Sequence, residues 1–170
     1  MVTGSKTWTF LPALDVVLSL YTREAFAVGE RLTVVHGRCG QGADEITARW
    51  VSRKNRAGWP VDQEGYPADW SAPCGPRCRG HRRGRRRDGA DFCPAAGMYR
   101  NEHLARTLNA ELALHPGGGF CEAFIRDGSP GATQAARYAQ SLHIPTERTS
   151  WAQRYRTRTA LAPRPERLPS

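Results

Sequence analysis

Four residues with metal-ligand chemistry stand close together in an otherwise coreless stretch: Cys74, Cys78, His81 and Cys93, spaced C-x3-C-x2-H-x11-C. Zinc takes four nitrogen or sulfur ligands in a tetrahedron, and short-spaced ligands flanking a loop can supply them. The segment around them, residues 71–96, is rich in Gly, Pro, Arg and Cys and almost free of aliphatic side chains. It cannot bury enough apolar surface to order itself, and a structural zinc would supply that order. With all four positions filled, such a metal has no open site for catalysis. The other readings are unrelated reduced thiols in a mobile loop, or redox-active thiols. Cys39 and Cys121 lie beside expected strands and read as small packed residues.

A second set of residues suits anion binding. Leu32-Thr33-Val34-Val35 reads as a buried strand, followed by the glycine loop His36-Gly37-Arg38-Cys39-Gly40-Gln41-Gly42 and then a helical pattern. A strand, glycine loop and helix start point backbone N–H groups at one place. Gly4, Ser5 and Lys6 follow a minimal first strand, where Ser5 and Lys6 offer a hydroxyl and a cation. The loop at residues 126–133 carries Ser129, Gly131 and Thr133 at another helix start. Each set has a plainer role: a capped turn with a solvated lysine for the first, ordinary N-capping for the last. Asp44 either complements a helix dipole or binds a ribose hydroxyl. His36 is either packed against backbone or a ligand. Arg100, with Asn101 beside it, either clamps a phosphate or stands exposed in an arginine-rich chain.

These residues must be positioned by elements, and the periodicity supplies them. Leu11, Leu14, Leu18 and Tyr21 mark one amphipathic helix; a second runs from the Gly42 loop to about Arg53. Val61 starts a third strand. After the insertion a helix begins at Arg100 and passes through Leu104, Leu108 and Leu112. Residues 120–125 form a strand, Ala135, Ala139 and Leu142 mark the last helix, and a short extended segment starts at Ile144. The order β-α-β-α-β-insert-α-β-α-β predicts an α/β, Rossmann-like, doubly wound and mostly parallel sheet in a single domain, residues 1–159, with a zinc-knuckle-like insertion. Residues 160–170 read as a disordered tail. In such sheets ligands bind beyond the carboxyl ends of the strands, where the three loops all fall.

At 170 residues one core is expected. No run is apolar enough to span a bilayer and no signal peptide is evident, so the expected location is the cytoplasm with no membrane partner. The formal net charge is +9, which favours phosphate-bearing partners. Much of it lies in Arg77, Arg79, Arg82, Arg83, Arg85, Arg86 and Arg87. That cluster either tracks a nucleic-acid backbone or is a solvated loop; it lacks aromatics for base stacking, with only Phe92 near. An oligomer is compatible with the sequence.

The chain resembles the YspA-related family of the SLOG superfamily, which also holds the DprA/Smf proteins and the Lonely Guy nucleotide hydrolases. The matching stretches, in the family's order, are VTGSKTW (2–8), TVVHGRCGQGAD (33–44), YPADW (66–70), AGMYRNEHL (96–104) and AFIRDGSPGAT (123–133). The cysteine-bearing insertion resembles an actinobacterial and phage version. The resemblance implies a Rossmann-like fold, a nucleotide or nucleotide-derived ligand, and ligand roles for Gly4, Ser5, Gly42, Asp44, Arg100, Asn101, Ser129, Gly131 and Thr133. Lonely Guy enzymes pair an arginine with a glutamate just after a PGGxGT motif. Arg100 has the counterpart position, but the loop here reads SPGATQAA, with no glutamate following. N-glycosidic cleavage would then fall to Asp44 with Arg100. The short first strand and the extra residues at 115–119 are further departures.

Overall fold

The computed structural model describes residues 1–75, 78, 83–85, 89–115 and 118–150. Its centre is a five-stranded, all-parallel sheet in the order β3-β2-β1-β6-β7. The strands are β1 (Val2–Gly4), β2 (Leu32–His36), β3 (Val61–Gly65), β6 (Cys121–Ile125) and β7 (Thr146–Ser150); a two-stranded antiparallel pair, β4 (Gly84–Arg85) and β5 (Asp91–Phe92), stands apart. The helices are α1 (Leu11–Ala27), α2 (Gly42–Arg56), α3 (Ala96–Leu114) and α4 (Pro130–Ser141). Among the described residues no helix is long and apolar enough to cross a membrane.

Alternation along the strands divides the core between the two faces of the sheet. Val2, Val34 and Phe124 pack with Leu14 and Leu18 of α1 and with Trp50 and Val51 of α2. Cys121 packs on the opposite face with Leu104 and Ala105 of α3 and Ala139 of α4. The sheet is therefore covered on both sides, as a parallel sheet requires. β1 is only three residues long yet holds the centre. It pairs with β6 through Val2↔Glu122, Thr3↔Ala123 and Gly4↔Phe124, and with β2 through Val2↔His36. The outer strands β3 (VDQEG) and β7 (TERTS) are polar and each pairs on one side only, which blunts the exposed edges.

Two expectations differ from the structure inside and after the insertion. The pair β4/β5 has no alternating apolar signal; it sits beside a small cluster of Cys78, Cys93, Ala95 and Ala96. The helix α3 starts at Ala96, four residues before the expected Arg100, because alanine and glycine in its first turn carry no periodic pattern. The tail at 160–170 lies outside the described residues, as do residues 151–159.

Candidate functional site

The chain winds outward from β1 through β2 to β3, then returns to place β6 on the other side of β1. Loops leaving β1 and β6 must therefore diverge to opposite faces, and a crevice opens between them. Here the crevice is a cleft of about 1020 Å³. Its walls are the loops after β1, β2 and β6, the N-terminal turns of α2, α3 and α4, and residues 67, 68 and 70 beyond β3.

Seven of the expected site residues line this cleft: Gly4, Gly37, Asp44, Arg100, Asn101, Ser129 and Gly131. Four others do not line it. The buried Ser5 hydroxyl donates to the Arg126 carbonyl at 3.0 Å and accepts the Arg126 N–H at 2.8 Å, tying the β1 loop to the β6 loop. His36 is buried between Gln63 Oε1, 3.0 Å from Nε2, and the Arg38 N–H, which donates to Nδ1 at 3.1 Å. That pattern defines a neutral ring protonated at Nε2, and burial holds its pKa below the ordinary histidine range. Gly42 has φ +68°, and a Cβ there would run into the Ser5 carbonyl and lie 2.5 Å from Lys6 Cα; it lets α2 start directly against the β1 loop. Thr133 donates its N–H to the Ser129 carbonyl at 3.0 Å and lines a separate groove with Arg137 and Tyr138.

Arg100 and Asp44 meet in the cleft. The guanidinium Nη1 donates to the carbonyl of Gly37 and to that of Tyr66 at 3.3 Å, and lies 3.7 Å from Asp44 Oδ2. Its Nε donates to Asn101 Oδ1 at 2.9 Å, and Asn101 Nδ2 donates to the Gly131 carbonyl at 3.3 Å. Arg100 is thus a bracket from α3 to the β2 loop, and Asn101 a bracket from α3 to α4. A Cβ on Gly37 would collide with the guanidinium, which would have to move aside. Asp44 Oδ2 also accepts the Cys39 N–H at 3.2 Å. Burial raises the Asp44 carboxyl above the usual aspartate range, opposed by Arg100, the Cys39 N–H and His36.

Other cleft residues carry charge or an aromatic ring. Lys6, Arg38 and Arg126 line it, and Trp70 forms an apolar wall with Lys6 Nζ 5.9 Å from its ring centroid. Sequence reasoning singled out Lys6 but missed Arg38, Arg126 and Trp70; the sole signal was their place just beyond a strand end. Cys39, expected to be packed, lines the cleft, whereas Cys121 is buried in the core. Arg38 and Asp127 adopt φ of +47° and +52°, left-handed conformations that cost a non-glycine residue about 1 kcal/mol or more. Both flank the cleft. The N-terminal turns of α3 and α4 contain no acidic residue, and Ser129, the N-cap of α4, makes no side-chain capping bond. The cleft can therefore present amide dipoles and cations to an anion, with an apolar plane beside them.

Beside the cleft wall, Cys74, Cys78 and Cys93 bring their sulfurs within 4.8 Å of one another, a cluster that can hold a metal ion. The Cys78 and Cys93 sulfurs are 3.6 Å apart. Tetrahedral Zn–S bonds of about 2.3 Å place sulfurs about 3.7 Å apart, so the donor set fits. Tyr99, which sequence reasoning missed, brings its hydroxyl 2.8 Å from Cys78 Sγ and holds that thiol below its ordinary pKa. Sulfur–sulfur hydrogen bonding, to Cys93 foremost, pushes Cys74 up to about 11. His81 lies outside the described residues, and so do Arg77, Arg79, Arg82, Arg86 and Arg87. Of the remaining arginines of the insertion, Arg83 donates to the carbonyls of Ala72, Ser71 and Asp91, and Arg85 to that of Gly89. Fold and site together define a Rossmann-like α/β domain with a thiol cluster beside its switch-point cleft. No family model, curated protein or solved structure matches the chain.

Proposed function

We propose that the cleft binds a nucleotide or nucleotide-derived phosphate ligand, and that the protein senses or sequesters it. The observation that carries this reading is convergence: three helix N-termini and the cations Lys6, Arg38 and Arg126 face one cleft at the sheet's switch point. Phosphate oxygens would take the open first turn of α4 at Ser129 and Gly131, with Lys6 and Arg126 beside it. The base would lie against Trp70. Asp44, next to the Gly37 loop, would accept from a ribose hydroxyl. The ordered motifs that resemble the YspA-related SLOG proteins agree with this ligand class. In the insertion the reading includes a structural zinc on Cys74, Cys78 and Cys93, with His81 as the fourth ligand. Native mass spectrometry of the freshly purified chain, followed by calorimetry with a panel of nucleoside mono- and diphosphates, tests both parts. A zinc adduct and saturable binding of at least one nucleotide are expected; a metal-free chain that binds none of the panel sinks the proposal.

One observation favours a second reading, hydrolysis of a nucleotide N-glycosidic bond. Asp44 is a cleft carboxyl with a raised pKa beside a fixed guanidinium, which suits proton transfer or stabilisation of an oxocarbenium-like charge. Incubation with nucleoside monophosphates and chromatography for free base decides between them. Release that disappears in Asp44→Asn makes the protein an enzyme, and no release leaves it a binding protein.

A further inference from the structure

Trp70 belongs to the cleft and to the thiol cluster at once. Its ring lines the cleft and also packs against the cluster of Cys78, Cys93, Ala95 and Ala96. Its carbonyl accepts the Cys93 N–H at 2.9 Å, and its ring meets Phe92 of β5 edge-on with centroids 6.2 Å apart. A Cβ on Gly97 would stand 3.3 Å from the same ring, so Trp70 rests on the first turn of α3. That turn is held by the thiols on one side: the Ala96 N–H donates to the Cys93 carbonyl at 3.1 Å, and Tyr99 Oη contacts Cys78 Sγ. The next residues, Arg100 and Asn101, reach the Gly37 and Gly131 carbonyls on the other side.

We infer that a metal ion on Cys74, Cys78 and Cys93 builds this wall of the cleft, so that metal binding at the thiols and ligand binding in the cleft are coupled. The identity of the cleft ligand rests on the nucleotide reading; the wall does not. The buried members of the cluster are Cys and Ala side chains, which bury little surface each, whereas metal–thiolate bonds tie the insertion together directly. With metal bound, Trp70 and the first turn of α3 are already in place. A cleft ligand then no longer bears the cost of ordering them, which is positive cooperativity. Linkage demands that the ligand tighten the metal by the same factor.

The test uses the full chain loaded with zinc and the same preparation stripped by a chelator. Hydrogen exchange is followed by mass spectrometry, and ADP and pyrophosphate serve as calorimetric probes. Stripping is expected to speed exchange across residues 66–70 and 93–101 while β1 and β6 stay protected, and to weaken ADP about tenfold, within the usual range of allosteric coupling. Zinc affinity, read by competition with a chromophoric chelator, should rise by the same factor with ADP present. Tyr99→Phe should retain zinc and show an intermediate loss of ADP affinity. Unchanged exchange at 66–70 and 93–101 after stripping, or equal ADP binding by both forms, overturns the inference. So does loss of protection in β1 and β6, which would make the metal a support for the whole fold. If neither probe binds either form while exchange still responds to zinc, the nucleotide reading fails and the wall-building role stands.

Discussion

Two buried side chains show how single groups hold the cleft in shape. Ser5, itself buried, gives and receives a hydrogen bond at the Arg126 backbone. Ser5→Ala should therefore destabilise the fold by about 1–3 kcal/mol, the loss of two hydrogen bonds worth about 0.5–1.5 kcal/mol each; urea unfolding that matches the parent would refute this. Asp44 makes a pH-dependent prediction. Its carboxyl is raised by burial, so the native chain holds that proton more tightly than the unfolded one. Such a group contributes stability that is complete below its unfolded pKa and lost as pH rises through its folded pKa. Asn cannot ionise but can still accept the Cys39 N–H. Relative to the parent, Asp44→Asn should gain stability as the pH rises above about 4, the ordinary aspartate pKa. A parent that instead gains on the variant across that range would mean the Arg100 ion pair outweighs desolvation.

The helices decide where charge can be accepted. α2 carries Asp44 and Glu45 in its first turn, while α4 carries no acidic residue there. Gly131, at the start of α4, is exposed and has nothing within 4 Å of an added Cβ. An aspartate there would complement the helix dipole by about 0.3–1 kcal/mol yet meet a phosphate with like charge. Gly131→Asp should thus fold at least as well as the parent by thermal melting while losing about tenfold or more in nucleotide affinity, about 1.4 kcal/mol. Undiminished affinity would place the phosphate away from α4. Gly37 probes the Arg100 bracket on the β2 loop. Because the flexible end of Arg100 occupies the space of its missing Cβ, Gly37→Ala should push the guanidinium aside, costing under about 1 kcal/mol in urea unfolding while nucleotide affinity falls; unchanged affinity would show that the guanidinium's position does not matter to the ligand.

For the molecule as a whole, the two clusters that flank the sheet contain none of the clustered thiols, and Cys78 and Cys93 belong to a third, small one. Removing metal should leave the far-ultraviolet dichroism of the α/β core largely intact while thiols become titratable by an aromatic disulfide. Global unfolding on chelation would show that the insertion and the sheet form one cooperative unit.

The alternation of strand patterns with helices of 3.6-residue period was enough to define the α/β class, the order of the main-sheet strands and helices, and the parallel sheet, because both periodicities are local properties of the chain; β4 and β5 left no such pattern. The cysteine spacing likewise announced where a metal could be held. Which side chains face the cleft depended on packing. Ser5 and His36 are polar and sit beside glycines just as true lining residues do, yet they turn inward to bind Arg126 and Gln63, while Thr133 lines a neighbouring groove. Arg38, Arg126 and Trp70 reach the cleft from loops whose sequences show no periodicity, so only the juxtaposition of β2, β3 and β6 around β1 could place them there. The bond between Tyr99 and Cys78 spans 21 residues, and the shared position of Trp70 joins strand end, thiols and helix. Contacts of that range are made by tertiary folding, and no local pattern encodes them.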